Sequence, residues 1–185
     1  MNTGIKGNNI NIQAGNIVIK NNTVGIKGKT TKIEGGKLEI ELNKTGVDSV
    51  NLSTKLAEIH IKSNEKGVKG SNLGLKAQEI INISNNQKGV EGKNVGVKTS
   101  GIVILSGNGK GVSGENVASL KGQSVVITSN KVGAQGENMY VKGSKVVVSN
   151  NTVGAQGNSI NVKADELIIL DNVLGFKQKK IKKPA

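Results

Sequence analysis

The chain has 185 residues, enough for one domain, and a net charge of +13 supplied by 26 lysines with no arginine; it has one histidine, no cysteine, and Tyr140 and Phe176 as its only aromatics. Without cysteine there are no disulfides or thiolate metal sites, and a single His60 excludes a catalytic triad or an imidazole metal cluster. The arginine forks and aromatic platforms that favour specific nucleic-acid recognition are missing, and no apolar run reaches the roughly 18 residues needed to span a bilayer.

One unit recurs from end to end. Its start is marked by Asn22, Asn43, Asn64, Asn86, Asn108, Asn130, Asn151 and Asn172, with Met1 at the equivalent place of the first unit, and the spacing is 21 or 22 residues throughout. The fourth place is always glycine: Gly4, Gly25, Gly46, Gly67, Gly89, Gly111, Gly133, Gly154 and Gly175. The fifth is apolar, as at Ile26, Val68, Val90, Val112 and Phe176; beside Ala134 and Ala155, the neighbouring Val132 and Val153 carry more bulk.

Two alternating apolar pairs follow in each unit. The first pairs are Ile10/Ile12, Leu73/Leu75, Val95/Val97, Met139/Val141 and Ile160/Val162. The second are Ile17/Ile19, Leu38/Ile40, Ile59/Ile61, Ile81/Ile83, Ile102/Ile104, Val125/Ile127, Val146/Val148 and Leu167/Ile169. Period two with β-branched residues marks strands with one buried face, and no helical apolar run is present. A fixed repeat near 20 residues with three apolar segments reads as a coil whose turns hydrogen-bond to the turns above and below. The predicted fold is therefore all-β: a single-chain parallel β-helix (β-solenoid) over residues 1–176, about 8.5 rungs of three short strands, forming a rod about 40 Å long. Residues 177–185 form a basic tail.

The repeat assigns structural roles. Glycine at the fourth and seventh places supplies backbone freedom at corners. The rung-start asparagines tolerate left-handed backbone and, stacked about 4.8 Å apart, form an amide ladder. Asn9, Asn51, Asn72, Asn94, Asn116 and Asn138 form a second column at another corner. The extra residues of the longer rungs are expected at Ala77–Glu79 and Ala118–Lys121. Lysines and glutamates are expected to be scattered over the outward positions of every rung.

Catalytic patterns fail one by one. His60, between Ile59 and Ile61, points outward. Gly109, Gly111 and Gly114 spell G-x-G-x-x-G, but no helix follows to hold a phosphate, and Gly28-Lys29-Thr30 lacks the first glycine of a P-loop. The acids are dispersed, so a polysaccharide-acting enzyme using Glu137, Asp165 and Glu166 ranks third among the readings. No cofactor or metal is expected.

The segments KGVEGKNVGV, KGVSGENV and VGAQGENMYVKGSKVVVSNN resemble the parallel β-helix repeats of bacterial adhesin and autotransporter passengers. Less closely, NINIQAGNIVIK is similar to spike segments of phage tails and type VI secretion tips. The resemblance implies an extracellular, cell-surface or virion setting and transfers no functional residue. The first residues, MNTGIKGNNINI, are already rung with no signal segment, which fits either assembly without classical secretion or a piece of a longer protein. The leading expectation is a structural, non-catalytic subunit stacking head-to-tail on copies of itself into a filament, spike or surface fibre. The rival is an adhesin-like module binding glycans or a host surface, with glycans or an anionic surface as candidate partners beside the chain itself. Phe176 is expected to cap the open end of the core, with Lys177, Lys179, Lys180, Lys182 and Lys183 as a charged tail able to dock a neighbour.

Overall fold

The structure, a computed structural model, describes residues 2–178. Met1 and the tail lysines Lys179, Lys180, Lys182 and Lys183 lie outside the described residues. The chain is a parallel β-solenoid of about eight turns, with no helix among the described residues. Its first four rungs are each written as one bent strand: β1 Thr3–Lys20, β2 Val24–Glu41, β3 Thr45–Lys62 and β4 Lys66–Ser84. There the ladder continues around the corners, so the expected three separate strands per rung do not appear. Corners then open, giving β5 Lys88–Thr99, β6 Ile102–Ser106, β7 Lys110–Lys121 and β8 Ser124–Thr128. Three short strands per rung follow: β9 Val132–Gln135, β10 Asn138–Lys142 and β11 Lys145–Ser149, then β12 Val153–Gly157, β13 Ser159–Lys163 and β14 Glu166–Leu170. The partial rung β15 Leu174–Gln178 closes the stack.

Every pairing between rungs is parallel, and the registers place like on like. Val68 pairs with Val90 and Val90 with Val112, a column continued by Ala134, Ala155 and Phe176. Ala134 and Ala155 hold the fifth place, fully buried, although Val132 and Val153 are bulkier. Ile19, Ile40, Ile61, Ile83, Leu105, Ile127, Val148 and Ile169 form another column. Each such buried side chain contributes roughly 1.5–3 kcal/mol over its exposed state.

One apolar pair is displaced from its expected position. Ile102 and Ile104 face outward, Ile102 being 42% exposed, while Val103 and Leu105 are fully buried beneath Ile81 and Ile83. The run Ile102-Val103-Ile104-Leu105 is apolar in both phases, so alternation alone cannot choose between them. The column does, because its last member always stands three residues before the next ladder asparagine. The insertions also resolve. Gln78 and Glu79 stand opposite the single Ala57, as expected, but the second insertion is Glu115–Asn116 opposite Lys93, upstream of the expected Ala118–Lys121.

Two corner roles change as well. The left-handed residue is the one before each ladder asparagine: Asn21, Leu42, Ser63, Asn85, Gly107, Ser129, Asn150 and Asp171, with φ between 50° and 63°. The ladder asparagines themselves are not left-handed. The fourth-place glycines are required by space: a Cβ on Gly67 would lie 2.5 Å from the Gly89 carbonyl oxygen and collide with the Ile61 side chain.

Candidate binding face: a trough between two ladders

The inner ladder sets the frame. At Asn86 the side-chain Oδ1 accepts from the Asn64 backbone N–H and from Asn64 Nδ2, both at 3.0 Å. Its own Nδ2 donates to the Ile61 carbonyl, the Ser84 carbonyl and Asn108 Oδ1 at 2.8–3.0 Å. The same pattern joins Asn22, Asn43 and Asn64 on one side and Asn108, Asn130, Asn151 and Asn172 on the other. Buried amides bonded on all sides lock each rung to the next in one phase.

That phase organises the outer face of the second strand, where side chains at i, i+2 and i+4 share one side. Along one edge runs an exposed amide ladder: Asn72 Nδ2 donates to Asn51 Oδ1 and Asn94 Nδ2 to Asn72 Oδ1, both at 2.9 Å. This second asparagine column lies on a strand face rather than a corner. Asn116 falls out of it, because the Glu115–Asn116 insertion puts Val117 opposite Asn94. In the middle runs a column of small residues, Ser53, Gly74, Gly96 and Ser119, ending at Tyr140, which is 48% exposed.

The other edge is a row of lysines. Lys76 pairs with Lys98, Lys98 with Lys121, Lys121 with Lys142 and Lys142 with Lys163, all exposed. The expected scattering of charge is therefore replaced, on this face, by a single-sign column. Among the described residues none of these five is ion-paired. Like charges directly opposite one another on neighbouring strands are destabilising. At the head of the row, Thr54 Oγ1 accepts from Lys76 N–H at 2.8 Å and donates to the Lys76 carbonyl at 3.1 Å.

An open trough of about 600 Å³ runs over the rungs from Thr30 to Ser119, lined by Asn51, Asn72, Asn94, Gly74, Gly96, Lys32 and Lys76 among others, so it lies beside the lysine row only in the rungs of Lys76, Lys98 and Lys121. Its floor is low because Gly74 and Gly96 lack side chains, and neither glycine is needed by the fold. A Cβ would meet only the Leu52 carbonyl oxygen at 3.6 Å and the Leu73 carbonyl oxygen at 3.9 Å respectively, which is ordinary contact, and neither residue has a left-handed backbone. Glycine inside a strand is one of the features of a surface that a ligand or another backbone approaches closely.

The remaining candidates disperse. His60 is half-buried on the outer third-strand face, where Nε2 meets Glu58 Oε2 at 3.0 Å. Glu137 sits at the corner before β10 and accepts from Asn158 Nδ2 at 3.3 Å, whereas Glu166 begins the third strand of its rung and pairs with Lys145 at 3.0 Å. The second strand separates them, and Asp165 stands with Glu166. Among the described residues no three His, Asp or Glu side chains gather closely enough to hold a metal ion. Phe176 is partly buried against the core beneath Ala155, and Lys177 is exposed.

The lysine row was within reach of the sequence. Lys76, Lys98, Lys142 and Lys163 each stand twelve residues after their rung asparagine, and only Lys121, displaced by the Glu115–Asn116 insertion, stands thirteen after. No protein-family model, no curated protein and no solved structure matches this chain. The likeness to adhesin passengers and secretion spikes therefore rests on the coil type alone.

Proposed function

We propose that this chain is a non-catalytic β-solenoid binding module that lays an extended polymer along the outer face of its second strands. The observation that carries this reading is the trough between the Asn51–Asn72–Asn94 ladder and the lysine row, with its floor held open by Gly74 and Gly96. Trough and row share the three rungs of Lys76, Lys98 and Lys121 and extend past each other in opposite directions, a linear site at about 4.8 Å per rung, and linear sites suit chains better than compact ligands. Amides and hydroxyls repeated at that interval present hydrogen-bonding groups to a repeating ligand. The test fills the floor. A Cβ at either glycine makes only ordinary contact, so Gly74→Phe and Gly96→Phe should preserve melting while retention in affinity gels cast with polysaccharides is lost. Silence of the unaltered protein across a panel of acidic and neutral glycans overturns the reading.

A second reading, a structural subunit stacking into a filament, spike or surface fibre, has one observation in its favour. Leu167 and Ile169, in register with the fully buried Val146 and Val148, are 47% and 46% exposed on the last full rung. Electron micrographs with rods much longer than a single molecule support stacking; monomers alone at high concentration overturn it.

A further inference from the structure

We infer that the polymer is an acidic polysaccharide, whose carboxylates or sulfates lie along Lys76, Lys98, Lys121, Lys142 and Lys163 and whose sugar rings enter the trough where the two run side by side, in the rungs of Lys76, Lys98 and Lys121. This inference rests on the binding-module reading and adds the chemical class of the ligand. Three features carry it together.

First, the row is a straight line of one sign at one rung per charge, about 4.8 Å apart. One acidic sugar in an extended chain spans a length comparable to one rung, so successive acidic groups meet successive lysines. Ammonium groups are compact point charges on flexible stems, and such groups tolerate small differences in pitch along a chain.

Second, the trough answers the rest of a sugar. The Asn51–Asn72–Asn94 amides stand four residues across the strand from the lysines, about 13 Å at an ordinary strand rise. They keep N–H and C=O groups for hydroxyls after their mutual bonds are made. Ser53 and Ser119 add hydroxyls on the floor. Tyr140, in register with Ser119, half exposed and one rung past the trough's last lining residue, offers a ring face for an apolar sugar face.

Third, nucleic acids fit the same charges less well. A duplex presents about one charge per 1.7 Å and its backbones wind around the axis, so a straight row crosses them instead of following them. Single strands are held by stacking of successive bases on aromatics, and this face has the one ring of Tyr140.

The test uses the full chain with polygalacturonate, neutral dextran and single-stranded poly-dT as probes, at one low salt concentration and again with salt raised. Two variants with the same change in net charge are compared. Lys98→Gln with Lys121→Gln with Lys142→Gln removes the middle of the row, and Lys66→Gln with Lys88→Gln with Lys110→Gln removes the lysine column at the rung start. We expect the row variant to bind polygalacturonate at least about tenfold more weakly with a shallower salt dependence, and the other variant to change little. Melting of the row variant should hold or rise, since repulsion is removed. Equal weakening in both variants overturns the inference, because net charge alone would then explain binding. Poly-dT binding as tightly as polygalacturonate overturns it in favour of nucleic acid. Dextran bound as well as polygalacturonate overturns the acidic class while the binding-module reading stands, whereas failure of all three polymers overturns both.

Discussion

Two outer faces of the same coil treat lysine in opposite ways. On the third-strand face, Lys20, Glu41 and Lys62 are stacked in register and alternate in sign. Lys20 meets Glu41 at 3.0 Å, and Lys62 reaches Glu39 at 2.7 Å and Glu41 at 3.8 Å. On the second-strand face the row from Lys76 to Lys163 has no acid within it. The coil imposes only that equivalent positions become neighbours; the sign at each rung is free. The second column runs on past Lys76 through Lys55 to Glu34, so its sign is free as well; a sequence that neutralises one column and leaves six successive rungs of another positive has not been forced into the second by its fold. The exposed ion pairs are individually worth less than about 1 kcal/mol, so the contrast says little about stability and a good deal about what each face meets.

Both columns depend on the rungs staying in phase, so the largest effect is expected from the inner ladder. Asn86→Ala deletes five hydrogen bonds and leaves the Asn64 amide groups and the Ile61 carbonyl short of partners inside the stack. Stability should fall by about 3–5 kcal/mol, read from urea unfolding, and hydrogen exchange should quicken in the rungs on both sides of Asn86. A loss below about 1 kcal/mol would mean that the aliphatic columns hold the phase by themselves.

Exchanging the two charge patterns gives a smaller effect and a sharper one. Glu41→Lys turns the alternating column into three stacked lysines and should cost up to about 1 kcal/mol in thermal unfolding. It should bring no gain in polygalacturonate binding, because Lys20, Glu41 and Lys62 do not line the trough. Lys98→Glu is the mirror change: it alternates the row, and should stabilise the fold by up to about 1 kcal/mol while weakening polymer binding. A Glu41→Lys protein that binds polymer better than the parent would show that lysine alone, without a floor, makes the site.

The coil itself was plain in the sequence because two residue types with separate physical duties recur in fixed phase. The asparagines are bonded on all sides, and the fourth-place glycines leave no room for a Cβ, so neither drifts. What escaped was whatever lay between those marks in rungs of unequal length. Ile102 and Ile104 read as core because both alternations of that segment are apolar, and only the position of Asn108 fixes which is buried. Insertion of Glu115–Asn116 hid the lysine row by offsetting Lys121 and spoiled the outer asparagine column at Val117. The trough floor was illegible for another reason: Gly74 and Gly96 look in sequence like any other glycine of the repeat. Only the space around them separates glycines the coil needs from glycines it does not.

The smallest effect expected comes from pH on the alternating face. The hydrogen bond from Lys62 holds the Glu39 carboxyl below its ordinary value, burial opposes that, and the charges of Lys62, Lys37 and His60 add to it. A carboxyl lowered in the folded state stabilises fully above its unfolded pKa, about 4.3, and loses that contribution as pH falls through the folded value. Lys62 is raised, first by the same bond to Glu39. Its contribution is complete below its unfolded pKa, about 10.4, and is lost as pH rises through the raised value. Glu39→Gln should therefore lower the neutral plateau of the melting-temperature profile slightly and flatten both limbs, the acid one below about pH 5 and the alkaline one above the ordinary lysine pKa, with added salt shrinking these changes. The lysine row has no such partner, so Lys98→Gln should leave the acid limb unchanged. If that variant flattened the acid limb as much as Glu39→Gln does, the row would have carboxylate partners in solution, and the distinction between the two faces would fall.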